Sequence, residues 1–132
     1  MRLLSLETIS DPARLAPVRH AVEAFCASCG FDEKAVGEIG LSVNEAMANV
    51  IRHAYSGQTD RPMRVDAEFQ GDLLEIKIRD WGNGKDPSRV PPKQDLLIPG
   101  GLGLHCLRSL MDDIIFEPQP DGMLLTLKRK KR

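Results

Sequence analysis

The chain has 132 residues, a mass of 14.6 kDa, 42% apolar and 28% charged residues, which fits a soluble globular domain and excludes a disordered polyelectrolyte. Eighteen basic residues stand against nineteen acidic ones, yet the last five, Lys128, Arg129, Lys130, Lys131 and Arg132, are all basic; without them thirteen face nineteen, and a body at −6 lacks the footprint of a nucleic-acid-binding surface. No apolar run approaches membrane-spanning length, Glu7 interrupts any signal-peptide core, and three cysteines are an odd, small number for a disulfide framework, so a reducing cytoplasm is the expected compartment.

In chain order, residues 3–9 read as a short first strand. Ser10 or Asp11 before Pro12 is a helix start, and Leu15, Val18, Val22, Phe25 and Cys29 follow on one face until Gly30 ends the helix. Asp32 caps a second helix, where Val36, Ile39, Val43, Met47, Val50 and Ala54 recur at steps of three and four before Gly57. The period then becomes two. Met63, Val65, Ala67 and Phe69 alternate with polar residues, Gly71-Asp72 turns the chain, and Leu74, Ile76 and Ile78 alternate again, which predicts a hairpin with one buried face. Residues 85–100 hold four prolines and no period, as a functional lid does. Gly100-Gly101-Leu102-Gly103 opens a third helix with Leu104, Leu107, Leu110 and Met111 as its apolar side. Ile114–Phe116 and Met123–Leu127 read as a last hairpin across Pro118–Gly122. The order β-α-α-β-β-loop-α-β-β predicts one α+β domain over residues 1–132, with a mixed or antiparallel sheet covered on one face by helices.

Three features carry chemistry. Glu45 and Asn49 are four apart on the second helix and share a face. A carboxylate beside an amide oxygen suits a hydrated Mg²⁺ site with a proton acceptor nearby, although the same residues also suit a solvated polar face with Arg52 and His53. Asp80 stands where a strand gives way to Gly82-Asn83-Gly84. Such an Asp can accept a hydrogen bond from an exocyclic amine and the glycines admit a flat ring, while Asp-x-Gly-x-Gly is also ordinary turn chemistry. Gly101-Leu102-Gly103-Leu104 opens a helix, where N–H groups and the dipole favour phosphate. It matches neither a Walker loop nor a dinucleotide fingerprint.

Together, in this order, the three resemble the nucleotide site of the GHKL ATPase superfamily. Glu45-Ala-Met-Ala-Asn49 resembles its N box, Asp80-Trp-Gly82-Asn-Gly84 the first glycine box, Gly101-Leu-Gly103-Leu104 the second, and residues 85–100 the ATP lid. Val43 to Tyr55 is further similar to the anti-sigma-factor serine-protein kinases. The resemblance implies a Bergerat-type fold, a two-layer sandwich with a mixed, mostly antiparallel sheet. It implies ATP and Mg²⁺ as cofactors, with Asn49 on the metal and Glu45 as the catalytic residue orienting or deprotonating a hydroxyl. Asp80 would hold adenine in a pocket shaped by Gly82 and Gly84, and the N–H groups around Gly101, Leu102, Gly103 and Leu104 would hold phosphates. The implied partners are a STAS-type anti-anti-sigma protein, phosphorylated on serine, and a sequestered sigma factor, with homodimerisation also implied. Arg19 falls where such kinases carry a partner-contacting arginine; a solvated helix residue is the alternative.

Two departures stand out. The family often ends in a Gly-Thr-Thr-like third box, whereas here Gly122 precedes Met123 and Leu124, with Thr126 beyond. The lid offers only Lys85, Arg89 and Lys93 to phosphate. An ATP-dependent partner-binding switch without phosphotransfer is therefore the second reading. Cys26-Ala-Ser-Cys29 has redox or zinc spacing but lies within a predicted helix, and His20, His53 and His105 share no metal spacing, so packing is expected of the cysteines. Trp81 either covers the nucleotide pocket or anchors the loop. The basic tail is expected as a solvated, frayed terminus, the alternative being contact with nucleic acid or acidic lipid.

Overall fold

Strict alternation over Met63–Phe69 and Leu74–Ile78 puts one apolar row on one face of a sheet, and the rest of the fold covers that row. The computed structural model describes residues 1–82 and 107–132. Five strands, β1 (Arg2–Ile9), β2 (Pro62–Gln70), β3 (Leu73–Asp80), β4 (Asp113–Gln119) and β5 (Gly122–Lys130), lie in the order β1-β2-β3-β5-β4. Every pairing among the described residues is antiparallel. The parallel component expected of a mixed sheet is absent there for a topological reason. Two successive helices bring the chain back to the end where β1 finished, so Ile9 pairs with Pro62 and β2 runs opposite to β1.

Asp11 caps a short 3₁₀ turn, Pro12–Arg14, by accepting the Ala13 N–H at 2.9 Å, and α1 (Leu15–Ser28) follows. Ser10, the alternative cap, has another task. It is fully buried, donates to the Gln58 carbonyl and accepts from the Arg61 N–H, which ties the end of β1 to the loop before β2. Asp32 caps α2 (Glu33–Asn49) through the Ala35 N–H at 2.8 Å. Val18, Val22 and Cys26 of α1 and Ile39, Val43 and Met47 of α2 are buried in the same core as Val65, Ala67, Leu74, Ile76, Ile78, Leu125 and Leu127 of the sheet. Residues 107–110 are helical, with Leu107 and Met111 buried.

The C-terminal hairpin is longer than its sequence suggested. Gln119 pairs with Gly122, so the turn is only Pro120-Asp121, and Pro118 sits within the edge strand β4, where a missing N–H is tolerated. The basic tail is not frayed. Lys128–Lys130 continue β5 alongside Leu73–Glu75. Arg129 donates to the Leu110 carbonyl at 2.5 Å and to Glu38 of α2 at 3.0 Å, and Lys131 donates from its backbone to Asp72 and from Nζ to the Cys29 carbonyl. Arg132 pairs with Asp112. Much of the charge that a nucleic-acid reading needs is engaged in holding the fold.

Candidate nucleotide-binding site

Register places Asp80 at the end of β3 between Met63 of β2 and Met123 of β5 on the helix-covered face. All three are nearly sealed, at 1%, 1% and 3% exposure. The Gly82 N–H donates to Asp80 Oδ1 at 3.1 Å, an Asx turn that fixes the carboxylate as an acceptor. Two glycines make this geometry possible. A Cβ on Gly82 would lie 2.5 Å from the Ala54 carbonyl oxygen. One on Gly122, whose φ is +151°, would lie 1.9 Å from the Asp80 carbonyl oxygen.

Glu45 and Asn49 stand half-buried, one turn apart, towards the C-terminus of α2. The Asn49 amide oxygen accepts from the Arg52 guanidinium. Beyond Asn49 the helix widens into a π turn, Val50–Ala54, where sequence periodicity predicted continuous α-helix. The Tyr55 N–H bonds the Val50 carbonyl, the Gly57 N–H reaches back to Ile51, and Ser56 and Gly57 both have positive φ. One widened turn leaves an apolar stripe nearly unchanged, which is why spacing did not reveal it; such turns concentrate at functional sites. Tyr55, 5% exposed, accepts the Trp81 N–H at 2.8 Å and donates to the Pro62 carbonyl at 2.5 Å. The end of the Glu45–Asn49 helix and the Asp80–Gly82 turn therefore meet through Tyr55 and through the Ala54–Gly82 contact. Sequence reasoning missed Tyr55; its one signal was being the lone tyrosine at the close of the long helical stripe.

Other predicted residues fall elsewhere. Gly84, Gly101, Leu102, Gly103 and Leu104, and the lid at 85–100, lie outside the described residues, as do His105 and Cys106. Arg19 is on α1, 3.9 Å from Glu23. Trp81 packs on the Arg79 guanidinium, 4.7 Å from its ring centroid. Arg79 also donates to the Asp80 carbonyl and pairs with Asp121 at 2.5 Å, so Trp81 is a loop anchor in this arrangement. Thr126 pairs with Lys77 and Ile115 on the opposite sheet face from Asp80, and the β5 position beside Asp80 is held by Met123. Cys26 and Cys29 are buried, and burial, then Cys29 and Glu23, push the Cys26 thiol up to about 12, which leaves it inert. Among the described residues no three His, Cys, Asp or Glu side chains gather as a metal site, and no helix is long and apolar enough to cross a membrane.

The donor set suits a magnesium nucleotide. A buried carboxylate between two thioether walls is chemically able to accept a hydrogen bond from an exocyclic amine beside apolar surface. An amide oxygen and a carboxylate one turn apart have the chemistry of a hard ligand and a proton acceptor. An antiparallel sheet covered by helices, with this site at the end of β3, is the architecture of a GHKL-type ATPase domain.

The sequence profile of the histidine kinase-like ATPase domain matches residues 8–129, and the chain belongs to that family. It is similar to the serine-protein kinase RsbW of Listeria innocua, 27% identical over 120 residues, covering 84% of this chain and 76% of that protein. The RsbW of Bacillus pumilus is 26% identical over 123 residues, covering 85% and 76%. Among solved structures, the RsbU and RsbW domains of Rv1364c from Mycobacterium tuberculosis superpose with a TM-score of 0.73 at 17% identity. That match covers 98% of this chain, which spans 32% of the mycobacterial chain. The histidine kinase domain of the blue-light activated kinase EL346 from Erythrobacter litoralis gives 0.59 at 19% identity, covering 91% and 60%.

Proposed function

We propose that this protein binds Mg·ATP and works in the cytoplasm as a serine-protein kinase of the anti-sigma type, phosphorylating a STAS-type antagonist and sequestering a sigma factor. The observation that carries the nucleotide is Asp80, a buried carboxylate between Met63 and Met123 whose Oδ1 accepts the Gly82 N–H. Asp80 accepts the adenine amine. Guanine presents an oxygen at the same position, acceptor against acceptor, so the site favours ATP over GTP. Asn49 offers its amide oxygen to Mg²⁺, which requires the Arg52 guanidinium to release that oxygen. Bound Mg²⁺ supplies charge neutralisation between the phosphates. Glu45, one turn before Asn49, holds the serine hydroxyl in line and takes its proton as the oxygen bonds the γ-phosphorus and ADP departs. The backbone around Gly101 and Gly103 receives the phosphates, Gly84 borders the base, and Arg19 serves the protein partner.

The test is calorimetric titration with a non-hydrolysable ATP analogue, with and without Mg²⁺ and beside the GTP analogue. The expected result is Mg²⁺-dependent binding of the adenine analogue alone, weakened at least tenfold in Asp80→Asn. Equal affinity in that variant, or no binding at millimolar analogue, overturns the site.

One observation favours the second reading, an ATP-dependent partner-binding switch without phosphotransfer. Met123 gives Asp80 a thioether neighbour where a third-box hydroxyl would stand. Transfer of labelled phosphate to a cognate antagonist separates the two.

A further inference from the structure

The hydroxyl of Tyr55 is embedded where two parts of the site meet. Tyr55 follows directly on the π turn that continues the Glu45–Asn49 helix, and its side chain is 5% exposed. Its Oη accepts the backbone N–H of Trp81, the residue between Asp80 and Gly82, at 2.8 Å. The same Oη donates to the carbonyl of Pro62, the first residue of β2, at 2.5 Å. Met63, the next residue, is the register partner of Asp80. One oxygen thus ties the helix end to the start of β2 and to the turn that follows Asp80 on β3. Steric fit reinforces the link, because Gly82 lies so close to Ala54 that a Cβ there would meet its carbonyl carbon at 2.9 Å. On the other side Trp81 is held by Arg79.

We infer that Tyr55 is a positioning residue for adenine recognition: its hydroxyl sets the Asp80–Gly82 turn at a fixed height over the helix end that carries Asn49. The inference rests on the nucleotide reading above and adds a residue that does not itself touch the ligand. The argument is one of valence. Phenylalanine preserves the packing of the ring, but it leaves a part-buried Trp81 N–H and Pro62 carbonyl without this partner. The turn then re-orients to find others and carries the Asp80 carboxylate with it. Apolar burial of the ring alone would predict no such change.

The experiment compares wild type, Tyr55→Phe and Ser10→Ala. The last removes a buried hydroxyl that bonds the neighbouring Gln58–Arg61 loop and makes no bond to the Asp80–Gly82 turn. Each full-length protein is titrated with adenosine and with the non-hydrolysable Mg·ATP analogue, below its unfolding transition. Amide hydrogen exchange at Trp81 is measured without ligand. The inference expects Tyr55→Phe to weaken both ligands by about the same factor, tenfold or more. Trp81 exchange should accelerate at least tenfold, with both readouts unchanged in Ser10→Ala. Wild-type affinity in Tyr55→Phe, or equal losses in Ser10→Ala, overturns it. If the wild type binds neither ligand, the nucleotide reading fails, and adenine positioning falls with it. Trp81 exchange then still reports whether the Tyr55 bond holds the turn.

Discussion

At its C-terminal end α2 widens into a π turn and meets β3 through a tyrosine hydroxyl and a close glycine contact, with Tyr55, Ala54 and Asp80 buried. At its N-terminal end the same helix is held by Asp32, by Glu38 pairing with Arg129, and by a tail whose long cationic side chains lie on carbonyls and carboxylates. The first end has short polar groups with little room to move. The second has flexible, partly hydrated ones. Buried polar groups without slack hold a ligand-sized geometry within tenths of an ångström, whereas exposed ion pairs hold a terminus in place and contribute little more. The contrast is the reason the proposed nucleotide site is assigned to Asp80 and not to the more charged tail.

The sharpest way to break this contrast is to push a methyl group into the sealed end. Gly122→Ala requires a Cβ 1.9 Å from the Asp80 carbonyl oxygen at a φ of +151°. The backbone there must move, and a loss of about 4 kcal/mol in urea unfolding is expected, together with loss of nucleotide binding. Gly37, which meets nothing within 4 Å, is the control, and Gly37→Ala should be neutral or stabilising.

Second in size is Glu45→Gln. It keeps the half-buried shape on α2 and removes the proton acceptor, so serine phosphorylation should fall at least about a hundredfold, or roughly 3 kcal/mol in the barrier. Affinity for the Mg·ATP analogue should stay within about twofold. Full transfer by this variant would remove Glu45 from the chemistry.

The hairpin β2–β3 was legible because its alternation and its Gly71-Asp72 turn are local, and both helices were legible because their stripes are long. Asp80 and Gly82 were legible for the same reason, a strand ending in a glycine turn. Tyr55 was not, because its partner lies 26 residues away and nothing in its own spacing announces it. The tail was misjudged because Lys and Arg read as solvated, yet β5 can continue when its neighbour β3 offers backbone partners as far as Leu73.

At the flexible end, Arg129→Ala should cost about 2 kcal/mol. It leaves the Leu110 carbonyl and Glu38 without a donor whose side chain is only 16% exposed. Nucleotide affinity should be unchanged, since these contacts lie at the opposite end of α2 from Asn49. A parallel drop in affinity would mean that the two ends are coupled through the helix.

The smallest effect is the most diagnostic of chemistry at the tail. The Arg132 guanidinium, and then the Lys130 N–H, hold the Asp112 carboxyl below the ordinary carboxylate range, against a weaker opposing pull from burial. A carboxyl whose value is lower in the folded chain than in the unfolded one stabilises the fold above the unfolded value. That contribution disappears as pH falls through the folded value. Asp112→Asn should therefore shift the unfolding midpoint at neutral pH by less than Arg129→Ala does and converge with wild type in acid. Because the Arg132 side chain is exposed, the difference at neutral pH should also shrink in about 1 M salt, where charges are screened beyond about 3 Å. Since a neutral amide oxygen can still accept the Lys130 N–H, that bond survives in Asp112→Asn, and a difference that persists in acid and in salt would overturn the charge account of the clamp.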